Sequence, residues 1–468
     1  MSVTDKFISF LRLFMQAIRG GTQDYTVGSI NRAIVLLSVP MILEMSMESL
    51  FAVVDVYFVS RLNDNDAVAT VGLTESVLTL IYSLAMGLSM GATAMVARRV
   101  GEKDIKSAEI AAIQAIYIGL GLSVVIAGIG IFFSEDILRL MGASESLIHE
   151  NSGYTRWMLT GNISIMLLFL INGVFRGAGD ASIAMRALLL ANGLNIILDP
   201  IFIFGLGPIP AFGVEGAAIA TNIGRTVGVL YQLRHLFGGK GLIKLHAANI
   251  KVHWGIVLRL VKVSAGGTGQ FLIGSASWIF LVRILSDFGS TAVAGYTIAI
   301  RIIVFAILPA WGMANAAATL VGQNLGAGRP DRAETSVWRT AFYNMMFLAI
   351  ITLLFFTLAA PIIRVFTHDT EVLKNGIACL KIVSIGYIFY AYGMVVGQSF
   401  NGAGDTRTPT MISFFGFWMF QIPMAYALAN WIGLGTSGVF SAIPIAESAM
   451  AVASILIFRQ GKWKTTRI

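Results

Sequence analysis

The chain has 468 residues, of which 56% are hydrophobic and only 12% are charged. A soluble domain carries about 25% charged residues, so this composition excludes an ordinary soluble protein. The single cysteine, Cys379, excludes an intramolecular disulfide. The net charge of +8 does not indicate a nucleic-acid partner. The basic residues lie in short loops between apolar segments, where the positive-inside rule accounts for them.

A helix that crosses a bilayer needs about 20 apolar residues, and the sequence contains twelve such segments. The predicted spans are residues 32–59, 67–95, 108–132, 149–175, 182–206, 213–236, 256–285, 291–320, 335–360, 373–400, 409–431 and 436–458. They leave no room for a soluble domain. We therefore expect an all-α integral membrane protein with twelve transmembrane helices.

The first residues predict a short amphipathic helix, because residues 5–19 mix Phe and Leu with Lys6, Arg12 and Arg19. Such a helix would lie on the inner membrane surface; the alternative is a frayed tail. Lys and Arg are far more frequent in the loops on the N-terminal side of the membrane than in the opposite loops. The positive-inside rule then predicts that both termini are cytoplasmic.

The sequence repeats itself at an offset of about 225 residues: FRGAGD at 175–180 returns as FNGAGD at 400–405. Each half has six predicted helices, an even number, so the two halves run parallel and form two six-helix bundles. A cleft between two such lobes permits alternating access. The predicted divisions are an N-terminal segment 1–31, a first lobe 32–236, an inter-lobe loop 237–253, a second lobe 254–460 and a tail 461–468.

Carboxylates inside the predicted spans are concentrated in the first lobe. They are Glu44, Glu48, Asp55, Glu75 and Asp199. An acidic residue at a helix centre is costly in lipid and usually serves an ion or proton pathway. The first lobe is therefore predicted to couple transport to an ion. In the second lobe, Glu447 is a lone acid within a predicted span.

In the first membrane helix, Glu44, Glu48 and Asp55 share one face, and Pro40 lets the helix bend. We hypothesise that Glu44 and Glu48 attract cationic substrates; alternatively, they only line a wet cleft. The nearby Met41 and Met45 suit a soft binding wall, although contact with lipid explains them equally well.

A set of polar residues lies at one depth, roughly 10 Å below the outer surface at 1.5 Å per helical residue. The set is Asp55, Tyr154, Asn195, Asp199 and Thr221. Their oxygens suit a hard cation such as Na⁺, or a proton. The alternative for Asp199 is a helix cap beside Pro200.

Several segments resemble the multidrug and toxic compound extrusion (MATE) transporters. They are PMILEMSMESLFAVVDVYFVSRL, ARRVGEKDIKSAE, FRGAGD, NIILDPIFIFG, GVEGAAIATN, LVGQNLGAGRPDRAE and FNGAGDTRTPT. The resemblance implies a V-shaped fold of two bundles and drug export driven by inward H⁺ or Na⁺. It maps Asp55, Tyr154, Asn195, Asp199 and Thr221 onto the ion site of the branch with carboxylates in helices 1 and 5, and matches Pro40 to the bending proline of that branch.

The other bacterial branch has an acid in helix 7, where this chain offers only Gln270. Glu44 and Glu48 are acids that the family pattern does not predict.

The expected function is secondary antiport of amphipathic or cationic compounds at the bacterial inner membrane, by a monomer without a cofactor or a nucleic-acid partner. A flippase for a lipid-linked precursor is the main alternative. No nucleophile or metal-ligand motif indicates an enzyme, and a two-lobe repeat fits alternating access better than a channel.

Overall fold

The computed structural model describes residues 3–62, 64–238, 241–246, 251–466 and 468, so part of the predicted inter-lobe loop 237–253 lies outside the described residues. Over these residues the chain is helical apart from loops and one isolated bridge. The helices are α1 (Val3–Arg19), α2 (Ile30–Ser60), α3 (Asn65–Gly101), α4 (Ile105–Leu140), α5 (Glu145–Thr160), α6 (Asn162–Ala178), α7 (Ala181–Phe204), α8 (Val214–Gly238), α9 (Trp254–Ser286), α10 (Ser290–Gly326), α11 (Pro330–Arg364), α12 (Thr370–Ile385), α13 (Tyr387–Ala403), α14 (Arg407–Trp431) and α15 (Thr436–Arg459).

Among the described residues, ten helical segments are long and apolar enough to cross a bilayer, and the bent pair α12–α13 forms an eleventh. Helix α8 corresponds to the remaining predicted span. It has 25 residues but is more polar, because Glu215, Arg225 and Arg234 interrupt its apolar sequence. Every predicted span therefore coincides with a helix or with a pair of consecutive helices.

The internal repeat is visible in the helix boundaries. Helices α3 and α10 cover 65–101 and 290–326, and α5 and α12 cover 145–160 and 370–385, so equivalent helices lie about 225 residues apart. Two separate hydrophobic cores follow the same division, one built mainly from α3–α8 and the other from α9–α15. The fold is thus two six-span bundles in parallel repeat.

The sequence predicts a continuous fourth span in each bundle, but the structure shows that this span is interrupted. Helices α5 and α6 meet at Gly161, and α12 and α13 meet at Gly386 with a bend of 58°. A Cβ at Gly161 would overlap the Asn222 side chain, and a Cβ at Gly386 would lie 2.6 Å from the Cβ of Pro444. These glycines let a neighbouring helix approach the break closely.

Helix α14 contains two π-helical segments, 414–421 and 427–431, which were not predicted. Pro423 lies between them. Proline has no N–H group to donate, so the regular hydrogen-bond ladder cannot continue through it.

Helix α1 packs against α2 and α7. Ala17 is buried in this contact, whereas Phe10 and Met15 are half exposed. Residues 3–19 are therefore helical with apolar side chains on the outside, as a helix on a lipid surface would be. Its position at the membrane interface stays a prediction.

The two bundles meet where α3 and α10 end. Gly101 packs against the carbonyl of Gln323, and Gly326 packs against the carbonyl of Arg98, so closely that a Cβ at either glycine would overlap the facing backbone. The two contacts are equivalent under the repeat. Hydrogen bonds reinforce this end, since Gln323 Nε2 donates to the Gly177 carbonyl at 3.0 Å and Thr319 Oγ1 donates to the Arg176 carbonyl at 3.1 Å.

Replacing Gly101 or Gly326 by Ala should force α3 and α10 apart, because the added methyl group has no space. Overpacking of this kind costs about 1–3 kcal/mol, so we expect a lower Tm for each purified variant. Gly121→Ala in α4 is the matched control, since its Cβ would meet nothing within 4 Å. Equal Tm values for all three variants would show that the crossing of α3 and α10 is not close-packed.

Candidate functional site

Three polar side chains of α7 and α8 form a hydrogen-bonded group inside the first bundle. Asn195 Nδ2 donates to Asp199 Oδ1 at 2.9 Å and to Thr221 Oγ1 at 3.2 Å. Asn195 and Asp199 are one helical turn apart, so their side chains share a face. All three residues are buried, and Asp199 is 0% exposed.

Two further predicted residues complete this group. Asp55 of α2 interacts electrostatically with Asp199 and with Tyr154 of α5. Four helices therefore converge on one buried cluster, which we call the acidic site: Asp55, Tyr154, Asn195, Asp199 and Thr221. These are the five residues that the sequence places at one depth, and their role as an ion site stays a prediction. Asp199 lies inside α7, whose C-cap is Gly205, so it does not cap that helix end.

The acidic site has unsatisfied oxygen atoms. Asp55 Oδ1, Asp199 Oδ2 and Asn195 Oδ1 are buried and have no hydrogen-bond partner among the described residues. Buried polar atoms without partners are rare because each one costs free energy. Two carboxylates that repel one another add to this cost. A bound cation or protons on the carboxylates would relieve both penalties.

The described residues contain no group of three His, Cys, Asp or Glu side chains that could hold a metal ion. A cation at the acidic site would therefore take some of its ligands from the neutral oxygens of Asn195 and Thr221. Such an oxygen-rich set, with only two charged ligands, suits a weakly held hard cation.

Glu44 does not face a cleft in this structure, because it is fully buried. Its Oε1 atom lies 3.1 Å from Arg176 Nη1 and accepts a hydrogen bond from Asn172 Nδ2 at 3.0 Å. Its charge is thus compensated inside the bundle. The sequence interpretation recognised FRGAGD as a repeat motif but missed Arg176 as the partner of Glu44.

Glu48 is also paired. Its Oε1 atom lies 3.8 Å from Arg225 Nη2, and Arg225 donates a 2.7 Å hydrogen bond to the Tyr82 hydroxyl. The guanidinium stacks over the ring of Phe51 at 5.0 Å. Arg225 was overlooked in the sequence, although a lone arginine within an apolar helix is itself a signal of a buried partner.

The three acids of α2 therefore have different surroundings. Glu44 and Glu48 each have an arginine within salt-bridge distance, whereas among the described residues Asp55 has none. Met41 and Met45 are buried rather than exposed in a cleft, and Met41 packs with Leu37 of α2 in the small core beneath α1. These contacts favour a structural role for Glu44, Met41 and Met45.

The corresponding place in the second bundle holds a neutral pair. Gln270 of α9 and Asn401 of α13 exchange hydrogen bonds of 3.0 and 3.2 Å. Asn401 is the repeat equivalent of Arg176, since FNGAGD replaces FRGAGD. Each bundle thus ties its first membrane helix to its GAGD turn, with a charged pair in one and an amide pair in the other.

A family comparison accounts for this architecture. The MatE family model matches residues 40–201 and 269–427, one segment in each bundle. The chain belongs to the MatE family. Members of this family are membrane transporters and not enzymes, as the sequence interpretation expected.

Known MatE relatives match along almost the whole chain. A probable multidrug resistance protein, NorM from Thermotoga maritima, is 26% identical over 443 residues, which cover 94% of each chain. The crystal structure of a MATE protein in the straight conformation aligns with a TM-score of 0.89 and 29% identity, covering 95% of this chain and 99% of that one. A bent conformation aligns with a TM-score of 0.86 and 28% identity, covering 96% and 99%.

The Glu44–Arg176 pair generates a test that uses the second bundle as its template. Glu44→Gln alone leaves a buried guanidinium without its counter-charge, and breaking such a pair costs about 3–5 kcal/mol. Adding Arg176→Asn recreates the Gln–Asn pair of the second bundle. We expect the single variant to lower the Tm strongly and the double variant to recover much of the loss, measured on detergent-purified protein. A double variant no more stable than Glu44→Gln would contradict this equivalence.

Proposed function

We propose that this MatE transporter is an antiporter that exports amphipathic or cationic compounds in exchange for inward H⁺ or Na⁺. The observation that carries the proposal is the acidic site, where one oxygen of each of two buried carboxylates and one amide oxygen have no hydrogen-bond partner among the described residues. An ion pathway through a membrane protein needs such groups, since charged residues in lipid are retained where they serve transport.

The substrate class is inferred from the relatives. The Thermotoga maritima protein is named a probable multidrug resistance protein, and a Staphylococcus aureus relative, 23% identical over 426 residues, is named a multidrug export protein. These names favour export of organic compounds over a lipid-linked precursor flippase. Glu48 is the only one of the three α2 acids with a noticeably accessible side chain, at 18%, so it is the better candidate of the predicted pair Glu44 and Glu48 for contact with substrate.

Orientation follows from charge. With both termini in the cytoplasm, the contacts of Gly101 with Gln323 and of Gly326 with Arg98 would close the cytoplasmic end of the inter-lobe cleft. The cleft would then open outward in this conformation. Export requires the opposite state, in which this contact separates and substrate enters from the cytoplasm.

Helix α2 is the proposed link between ion and cleft. It carries Asp55 of the acidic site, and it packs against α7 of its own bundle and α10 of the other bundle. Pro40 lies in its first half and removes one backbone hydrogen bond. Neutralising Asp55 would change how α2 packs on α7, and Pro40 would permit the bend. That MATE structures exist in straight and bent conformations supports such a two-state element.

Asp55→Asn and Asp199→Asn should each reduce gradient-driven export to background while leaving membrane insertion intact. Asparagine keeps the shape of aspartate but cannot bind and release the coupling ion as a carboxylate does. The measurement is efflux of a fluorescent organic cation from proteoliposomes with an imposed H⁺ or Na⁺ gradient. Glu150→Gln, an exposed acid of the same bundle, is the control. Export at the wild-type rate in both Asn variants would refute the proposed role of the acidic site.

Thr221→Ala distinguishes the two ions. If Na⁺ binds at Asp55, Asn195, Asp199 and Thr221, losing the hydroxyl ligand should weaken the Na⁺ dependence of export about tenfold, which corresponds to one hydrogen-bond-sized interaction. Export driven by a pH gradient should change much less. A transporter whose export ignores Na⁺ and follows the pH gradient in both proteins would be coupled to protons.

A further inference from the structure

A second candidate binding site lies in the C-terminal bundle, far along the chain from the acidic site. It is a cavity of about 210 Å³ between α9, α10, the α12–α13 break and α15. Four aromatic side chains line it: Trp278, Trp311, Tyr387 and Tyr390. A cavity of about 150 Å³ is large enough to bind benzene, so this one has room for a small organic molecule.

One carboxylate, Glu447 of α15, lines this apolar cavity. In the part of the chain that the structure describes, no lysine, arginine or histidine lies within salt-bridge distance of Glu447. Its polar neighbour is Tyr390, with which it interacts electrostatically. The Tyr387 hydroxyl is buried without a hydrogen-bond partner. The cavity thus contains one carboxyl group without a basic partner and one unsatisfied hydroxyl.

The internal repeat shows which residue of the first bundle is equivalent to Glu447. Gly213 and Gly216 before and in α8 correspond to Gly435 and Gly438 before and in α15, and the same register places Glu447 opposite Arg225. At that position the first bundle holds its own cation, stacked on Phe51 and Tyr82. In the second bundle the charge is reversed and aromatic rings remain.

A cation is therefore supplied by the chain in one bundle and is missing from the equivalent place in the other. Aromatic faces attract cations through their quadrupole, most strongly where water is excluded. A carboxylate at the wall adds charge compensation, and an apolar cavity with few polar groups is the usual form of a small-molecule site. An organic ammonium compound has a positive charge for the carboxylate and the aromatic faces, and an apolar surface for the rest of the cavity.

We propose that the cavity around Glu447, Trp278, Trp311, Tyr387 and Tyr390 binds a compact organic ammonium cation, and that it is a substrate subsite of the transporter. This proposal rests on the proposed function, because the cavity is a substrate subsite only if the protein exports such cations. In this arrangement the coupling ion binds in the N-terminal bundle and the charge of the substrate is compensated in the C-terminal bundle. The two sites can then be occupied in turn without sharing a carboxylate.

The test uses the purified full-length chain in detergent and radiolabelled tetraethylammonium as the probe. Glu447→Gln should weaken equilibrium binding about tenfold or more, because a charge-assisted contact is lost. Trp311→Leu should weaken it several-fold, because the aromatic face is lost. Glu371→Gln, an exposed acid at the start of α12, should bind like the wild type, and each Tm should be recorded as evidence of folding.

Unchanged tetraethylammonium binding in Glu447→Gln, or no binding by the wild type, would overturn the site. So would equal binding by Trp311→Leu. Asp199→Asn separates this proposal from antiport, since it should retain tetraethylammonium binding while losing gradient-driven export. Binding that depends on Glu447 without any gradient-driven export would support the subsite for cations and refute antiport, whereas export with no role for Glu447 would do the reverse.

Discussion

A charge inside a bilayer has no water to solvate it, and this constraint organises the polar interior of the protein. Glu44 and Glu48 are stabilised by arginines that the chain supplies from α6 and α8. Because buried charges are normally compensated, acids without a basic partner indicate a candidate binding site. Asp55, Asp199 and Glu447 have no basic partner within salt-bridge distance among the described residues, so each needs a proton, an ion or a ligand to reach the same state. The compensated charges connect helices within the first bundle, and the uncompensated ones are the groups proposed above to bind an ion or a substrate.

The two halves of the repeat share one architecture. Equivalent helices have almost the same length and the same breaks, because close helix crossings at glycine depend on backbone shape and not on side-chain charge. The polar residues inside the bundles changed instead. Glu44 and Arg176 are replaced by Gln270 and Asn401, and Arg225 is replaced by Glu447. The second bundle has a neutral Gln–Asn pair and one acid in an aromatic cavity, which under the proposal above suits a different ligand from the one that the acidic site would hold.

At the ends of α3 and α10, the contact between the bundles is built from two glycines and from side chains that donate to backbone carbonyls. Arg98 is buried in this contact and donates to the carbonyls of Ala403 and Thr466, so separating the bundles at this end would also break these hydrogen bonds. The proposed alternating access requires the two bundles to separate at such a contact. Helix α2 packs against α7 and α10 and carries Asp55, so in the proposed mechanism it links the acidic site to this contact.

The sequence by itself determined the number of spans, the parallel repeat and the family, and it predicted the five residues of the acidic site. These features depend on local hydropathy, on motif identity and on helical periodicity, all of which can be read along one chain. It could not determine the partners of Glu44 and Glu48, because Arg176 and Arg225 lie more than 120 residues away and pairing depends on how α6 and α8 pack against α2. Helix packing also determines the breaks at Gly161 and Gly386 and the cavity at Glu447. They arise where helices from distant parts of the chain approach closely, and only the tertiary structure fixes those distances.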